Sequence, residues 1–198
     1  MKEDIYQAFQ EIFDTGHVPS EWGRGLIHLV PKGEQASDDI RKWRLITILN
    51  TIYKLLAKMI SLIVQPWLPQ LIHASQIGFI KERSILDNIF KFLEVMALAL
   101  KTKQDMSILL LDFEKAYDRV DWSFFEGTLM RFGFHKEWIK GVAPLYSGAT
   151  NKVLLAGDKG SPFQLTRSVR QGCPFAPSLF LFFTEEMSIH MTSIGAIL

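Results

Sequence analysis

The residue types that could do chemistry fall in three short segments. Asp112 closes the apolar run of residues 106–111. A carboxylate at the end of a buried strand is costly unless it is paired or binds a metal. A strand-end aspartate can hold Mg²⁺ beside substrate phosphates, which is how that ion is usually bound. It can equally cap the next turn or pair with Lys115, and the segment alone leaves both readings open. Lys32 follows Pro31, and Arg44 opens the next apolar stretch. Two cations at the base of one hairpin loop could grip a triphosphate, although cations flanking a loop are also common on plain surfaces. Gln171-Gly172 offers an amide that both donates and accepts, beside a backbone that can approach a flat or charged ligand. A polar turn next to a buried Cys173 is the blander reading. Cys173 has only His190 near it in sequence, so a nucleophilic thiol is disfavoured. The five histidines show no metal-ligand spacing.

The elements that must position these residues follow from periodicity. Ile5, Phe9, Ile12 and Phe13 recur at helical spacing before Gly16. Residues 26–30 predict a strand ended by Pro31, and 32–40 a polar loop. Residues 44–49 predict a second strand, able to pair with the first as a hairpin. Asn50 caps a helix with Tyr53, Leu56, Ala57, Ile60 and Val64 on one face. Ser84 and Asp87 form a capping box, opening a helix on which Ile85, Ile89, Phe92, Met96 and Leu100 keep the period. Residues 106–113 predict a strand buried on both faces. Asp118 and Asp121 read as turn and cap residues, with Asp121 starting a helix that Gly133 closes. Residues 135–146 predict a helix. Residues 152–155 and 163–167 flank a turn signal at 157–160. A last apolar helix runs from Phe175 and is expected to leave apolar surface exposed.

Composition excludes several classes. The chain has 198 residues, 48% of them hydrophobic and 22% charged, so it is neither disordered nor of low complexity. One cysteine excludes an intramolecular disulfide framework and a cysteine-rich zinc site, and it fits a reducing compartment. Residues 55–72 are too interrupted to span a membrane, and no secretory signal is expected at residues 1–10. The net charge of +1 hides an asymmetry. Residues 24–58 carry seven basic residues against three acids, and 111–126 five acids against two bases. A basic half facing an acidic half suits a polyanion plus a metal, or simply two solvated faces.

Five stretches together carry a resemblance. They are residues 25–32 (GLIHLVPK), 43–58 (WRLITILN with YKLLAK), 76–88 (QIGF with RSILDN), 111–120 (LDFEKAYDRV) and 170–174 (RQGCP). In order and spacing the chain resembles the reverse transcriptase domain of LINE-type (non-LTR) retrotransposons, particularly those of plants. The resemblance implies an α+β fold, the fingers and the first part of the palm of a right-hand polymerase, with helices packed on a small, mostly antiparallel sheet. Residues 1–105 would be the fingers-like region and 106–198 the partial palm. It implies RNA-directed DNA polymerisation by two-metal nucleotidyl transfer, with an RNA template, a DNA primer and deoxynucleoside triphosphates as partners. Asp112 and the Phe113 carbonyl correspond to ligands of Mg²⁺ or Mn²⁺. Lys32 and Arg44 match the cations that hold the triphosphate. Tyr117 matches the ring that excludes a 2′-hydroxyl, and Gln171 and Gly172 match the block bordering the nascent base pair.

This sequence also departs from that pattern. Leu45 stands for a proline, Lys81-Glu82 for Pro-Gly, Ser168 for a glycine and Phe175-Ala176 for Leu-Ser. The family's aromatic-Ala-Asp-Asp hairpin is not within the 198 residues, where the one Asp-Asp is Asp38-Asp39 in the polar loop. The expectation is therefore a truncated family member, an inactive relic in which residues 1–198 alone do not polymerise; the alternatives are a weak nucleic-acid-binding fragment without catalysis and an excerpt of a longer, active polyprotein.

Overall fold

The computed structural model describes residues 2–33, 38–103, 105, 107, 108, 110 and 112–193. Helix α1 (Lys2–Thr15) ends where Gly16 takes φ +68. Strands β1 (Arg24–Pro31) and β2 (Trp43–Leu49) pair antiparallel, with Ile27 opposite Thr47 and Val30 opposite Arg44. Asn50 accepts a hydrogen bond from the Ile52 amide at 2.8 Å and starts α2 (Thr51–Val64). The short α3 (Leu68–Leu71) and α4 (Ile85–Thr102) follow. Then come α5 (Trp122–Arg131), α6 (Lys136–Val142), β3 (Thr150–Leu155), β4 (Asp158–Lys159), β5 (Phe163–Gln164) and α7 (Ala176–Ser193).

The sheet runs β2-β1-β3-β4, with β5 also on β3. Only the β1–β3 pairing is parallel among these four ladders, so the α+β, mostly antiparallel expectation holds. That parallel ladder joins residues 24–28 to 150–154, so one sheet unites the two halves of the chain. The β3–β4 hairpin turns at Ala156 and Gly157, both at positive φ, the geometry a two-residue turn requires.

The core follows the predicted face of α2: Tyr53, Leu56, Ala57, Ile60 and Val64 are buried. They meet Leu129 of α5, Val142 of α6, Leu145, and Phe175, Leu179 and Phe182 at and within α7. Helix α7 packs inward over its first half, and the expected exposed apolar surface is seen at Ile189 in its second half, residues 194–198 lying outside the described ones. Further exposed apolar surface lies on α4. The capping box forms as read, Ser84 accepting from Leu86 N while Asp87 accepts from Ser84 N. Arg83 anchors this end by donating to the carbonyls of Pro69, Ile72, His73 and Gln76 at 2.6–3.1 Å. Yet no residue of α4 is buried, and Ile85, Ile89, Phe90, Leu93 and Leu98 are exposed.

The expected strand at 106–113 is not found among the described residues. Met106, Leu109 and Leu111 lie outside them. Ser107, Ile108, Leu110, Asp112 and Phe113 are exposed and belong to no strand. None of the described residues of this segment is buried or pairs with a described strand.

Candidate active site

Strand β2 organises the site. Its Thr47 amide donates to the Gln171 carbonyl at 3.0 Å. Gly172 has φ +107, and a Cβ there would stand 2.5 Å from the Thr47 carbonyl. Only glycine fits that conformation and that approach. The segment before it is tied to the other side. Val169 N donates to the Tyr117 carbonyl at 2.7 Å, Ser168 N to the Val120 carbonyl at 2.9 Å, and Trp122 Nε1 to the Ser168 carbonyl at 3.0 Å. Residues 168–172 thus bridge the basic hairpin and the turn Ala116–Arg119.

Tyr117, in that turn, is half-buried and stacks on Phe180 of α7, with ring centroids 4.8 Å apart and planes at 27°. Burial raises its hydroxyl pKa. Burial also raises the Asp118 carboxyl, partly offset by Lys115 and by a hydrogen bond from Ser168. Five residues upstream of Tyr117, Asp112 is exposed, as is Phe113. The cost of a buried charge therefore does not apply to Asp112. Among the described residues no three His, Cys, Asp or Glu side chains gather into a metal-binding group. One carboxylate and one backbone carbonyl form part of a Mg²⁺ shell, which waters, phosphate oxygens and a further carboxylate ordinarily complete. The donor chemistry fits, as an incomplete set.

Lys32 and Arg44 are exposed at the loop end of the β1–β2 hairpin, where Lys32 N donates to the Lys42 carbonyl at 2.8 Å. Arg44 lies three residues along β2 from Thr47, about 10 Å away and on the opposite face. The structure thus joins Tyr117, Gln171 and Gly172 closely through backbone bonds. It sets Arg44 on the same strand as their anchor, and carries Asp112 and Phe113 on the exposed segment leading to Tyr117.

Sequence reasoning missed the polar centre beneath this site. Arg170 is 1% exposed, donates through Nη2 to the Gly23 carbonyl, and lies over the Tyr53 ring at 5.5 Å. Tyr53 donates its hydroxyl to the Leu145 carbonyl at 3.0 Å. Cys173 is buried with its sulfur 3.7 Å from both the Tyr53 and Tyr146 hydroxyls. The one available signal was position: Arg170 lies between two apolar residues that turn inward, Val169 and Cys173.

The basic hairpin is thus bonded to the Gln-Gly block, with the aspartate-to-tyrosine segment alongside. The profile of the family described as reverse transcriptase (RNA-dependent DNA polymerase) matches residues 30–195, and the chain belongs to that family. It is 33% identical over 177 residues to the Transposon TX1 uncharacterized 149 kDa protein of Xenopus laevis, covering 89% of this chain and 14% of that protein. It is 24% identical over 183 residues to the retrovirus-related Pol polyprotein from type-1 retrotransposable element R2 of Popillia japonica, covering 92% and 25%. The chain thus spans a quarter or less of the length of these relatives. The first is named as a transposon protein and the second as a retrotransposable-element polyprotein, in line with the resemblance drawn from the motifs.

Proposed function

We propose that the chain is the fingers (1–105) and the first part of the palm (106–198) of a LINE-type reverse transcriptase, working by two-metal nucleotidyl transfer on an RNA template and a DNA primer. The observation that carries this reading is the bonding of the Gln171-Gly172 block to Thr47 of the basic hairpin, with the same segment bonded to the Tyr117 turn. In this reading Lys32 and Arg44 bind the triphosphate of an incoming deoxynucleotide. Gln171 and Gly172 border its base pair, and the Tyr117 ring, backed by Phe180, leaves no room for a 2′-hydroxyl. Asp112 and the Phe113 carbonyl would hold Mg²⁺ or Mn²⁺, which supplies charge stabilisation to the oxygens of phosphoryl transfer. Two ions about 3.5–4 Å apart need more than one carboxylate. Residues 1–198 by themselves are therefore expected not to extend a primer.

The experiment is primer extension by a chimera in which the palm hairpin and thumb of a related element follow Leu198. The chimera should extend an RNA-templated primer, and Asp112→Asn should reduce extension by about 10²–10³-fold or more, a typical cost of removing transition-state charge stabilisation. Asp112→Asn with undiminished extension would remove Asp112 from the site. Extension by the 198-residue chain itself, lost in Asp112→Asn, would show that it completes the metal set without added residues.

A further inference from the structure

The backbone of Tyr117 and its ring are held by different means. The turn Ala116–Arg119 follows Lys115 at φ +51, and Val169 N donates to the Tyr117 carbonyl. That bond fixes the main chain but leaves the side-chain torsions free. Among the described residues no hydrogen bond holds the hydroxyl, and burial is the cause that raises its pKa. What meets the ring is a column of other rings. Phe180, Phe183 and Glu186 recur every third residue of α7 and share one face. Tyr117 stacks on Phe180 at 4.8 Å and 27°, and Phe180 stacks on Phe183 at 5.7 Å and 24°. Helix α5 closes the far end. Phe124 meets Phe183 edge to face at 5.6 Å and 71°. Arg131, about two turns further along α5, lies 5.9 Å over the Phe124 ring and pairs with Glu186 at 2.7 Å. None of the four rings is fully buried, and Phe124 is 38% exposed. Other residues of α7, among them Leu179, Leu181 and Phe182, fill the core.

We propose that Phe183, Phe124 and the Arg131–Glu186 pair are positioning residues for Tyr117, and that they set how strictly a ribonucleotide is refused. The proposal rests on the reading of Tyr117 as the ring that leaves no room for a 2′-hydroxyl. The physical link is the stack. Tilting one ring of a near-parallel column loses contact area and quadrupole alignment with the next. Phe183 therefore keeps Phe180 in plane from behind, and Phe180 keeps Tyr117. Phe124 braces Phe183, and Arg131 braces Phe124. A Tyr117 ring free to tilt opens space beside the sugar, and steric exclusion weakens. The effects are graded: Phe183 matters most, Phe124 less, and the solvent-screened ion pair least.

The test has two arms. The first uses the 198-residue chain with isotope-labelled tyrosine. The Phe180 ring current should displace the Tyr117 resonance, which is identified by its loss in Tyr117→Phe. Phe183→Leu should move that resonance toward the free-tyrosine position and leave Tyr146, which packs on Phe125, in place. Phe183→Tyr, which keeps the ring, should leave Tyr117 displaced. The second arm uses the chimera with the palm hairpin and thumb of a related element. There Phe183→Leu should raise ribonucleotide kcat/KM relative to deoxyribonucleotide by about 2- to 10-fold, the worth of one aromatic pair. Phe124→Leu should move both readouts the same way by less, and it decides the matter if Phe183→Leu does not fold. In a Tyr117→Val background neither change should move the ratio further, because both act through that ring. A role in stability alone would lower both rates together and leave the ratio where it was. A Tyr117 resonance unmoved by both variants, or a moved resonance with an unmoved ratio, overturns the proposal. A chimera that extends no primer overturns the polymerase reading and the selection claim with it, while the resonance still decides whether the column positions the ring.

Discussion

Two residues carry backbone strain at the places where the family resemblance sets glycine. Glu82 has φ +66 and Ser168 has φ +106. An L-residue in the left-handed region costs about 1–2 kcal/mol, part of which glycine returns through its freer unfolded chain. Glu82 is exposed, so Glu82→Gly should stabilise by about 0.5–1 kcal/mol and raise Tm by a few degrees. Ser168→Gly should gain less, because it also loses the hydrogen bond to Asp118. An unchanged or lower Tm in Glu82→Gly would mean that its side chain has a compensating contact. The buried tyrosines set an alkaline limit. Burial, reinforced by Cys173, holds the Tyr53 and Tyr146 hydroxyls well above the usual tyrosine range. Their folded pKa values exceed the unfolded ones, so this stability is intact below about pH 10 and is lost as pH rises beyond it. The loss approaches about 1.4 kcal/mol per pH unit for each tyrosine. Tyr53→Phe should halve that dependence in denaturant titrations above pH 10. At neutral pH it should cost about 1–3 kcal/mol, because the Leu145 carbonyl loses its donor.

At the level of elements, α2 and α4 show what periodicity reveals and what it does not. Both are apolar with helical spacing, and both were legible, cap residues included. Which helix is covered depends on long-range neighbours, and the local pattern is silent about those. Helix α2 buries Tyr53, Leu56, Ala57, Ile60 and Val64 against α5, α6 and α7, while α4 buries none of its residues. The same limit bears on 106–113, whose apolar character suggested a buried strand, while its described residues are exposed and pair with no strand. It also explains Arg170, whose burial follows from the sheet and α2 closing over it, not from its own sequence neighbourhood. The turn at 170–174 was legible because its spacing is local, and the close backbone approach at Gly172 because its conformation admits no other residue. The exposed side chains of α4 predict self-association of the isolated chain. Phe90→Lys with Leu93→Lys should lower the aggregate fraction in light scattering at tens of micromolar. Tm should stay nearly unchanged, since exposed substitutions seldom exceed about 0.5 kcal/mol. A sharp fall in Tm would mean that α4 is covered in solution.

For the whole molecule, the near-neutral total conceals a sheet with two unlike faces. Alternation along the strands puts Ile27, Thr47, Leu49 and Asn151 on the buried face. The same alternation puts Arg24, His28, Arg44 and Lys152, all exposed, on the other. Lys32 lies just beyond the end of β1 on the same hairpin. A basic face of this kind attracts a polyanion by releasing its condensed counterions, so affinity should fall linearly on logarithmic axes as salt rises. Each phosphate contact contributes roughly 0.7–0.9 to that slope, depending on whether the strand is single or paired. Lys32→Ala and Arg44→Ala should therefore each flatten the slope by about that amount in fluorescence anisotropy with an RNA–DNA primer–template. Lys140, on α6 and already paired with Glu137 at 3.0 Å, is the control, and Lys140→Ala should leave the slope unchanged. Equal slopes in all three variants would mean that the hairpin cations face solvent only. A loss confined to Arg44→Ala would instead restrict the phosphate track to the strand and free Lys32 from any role in binding.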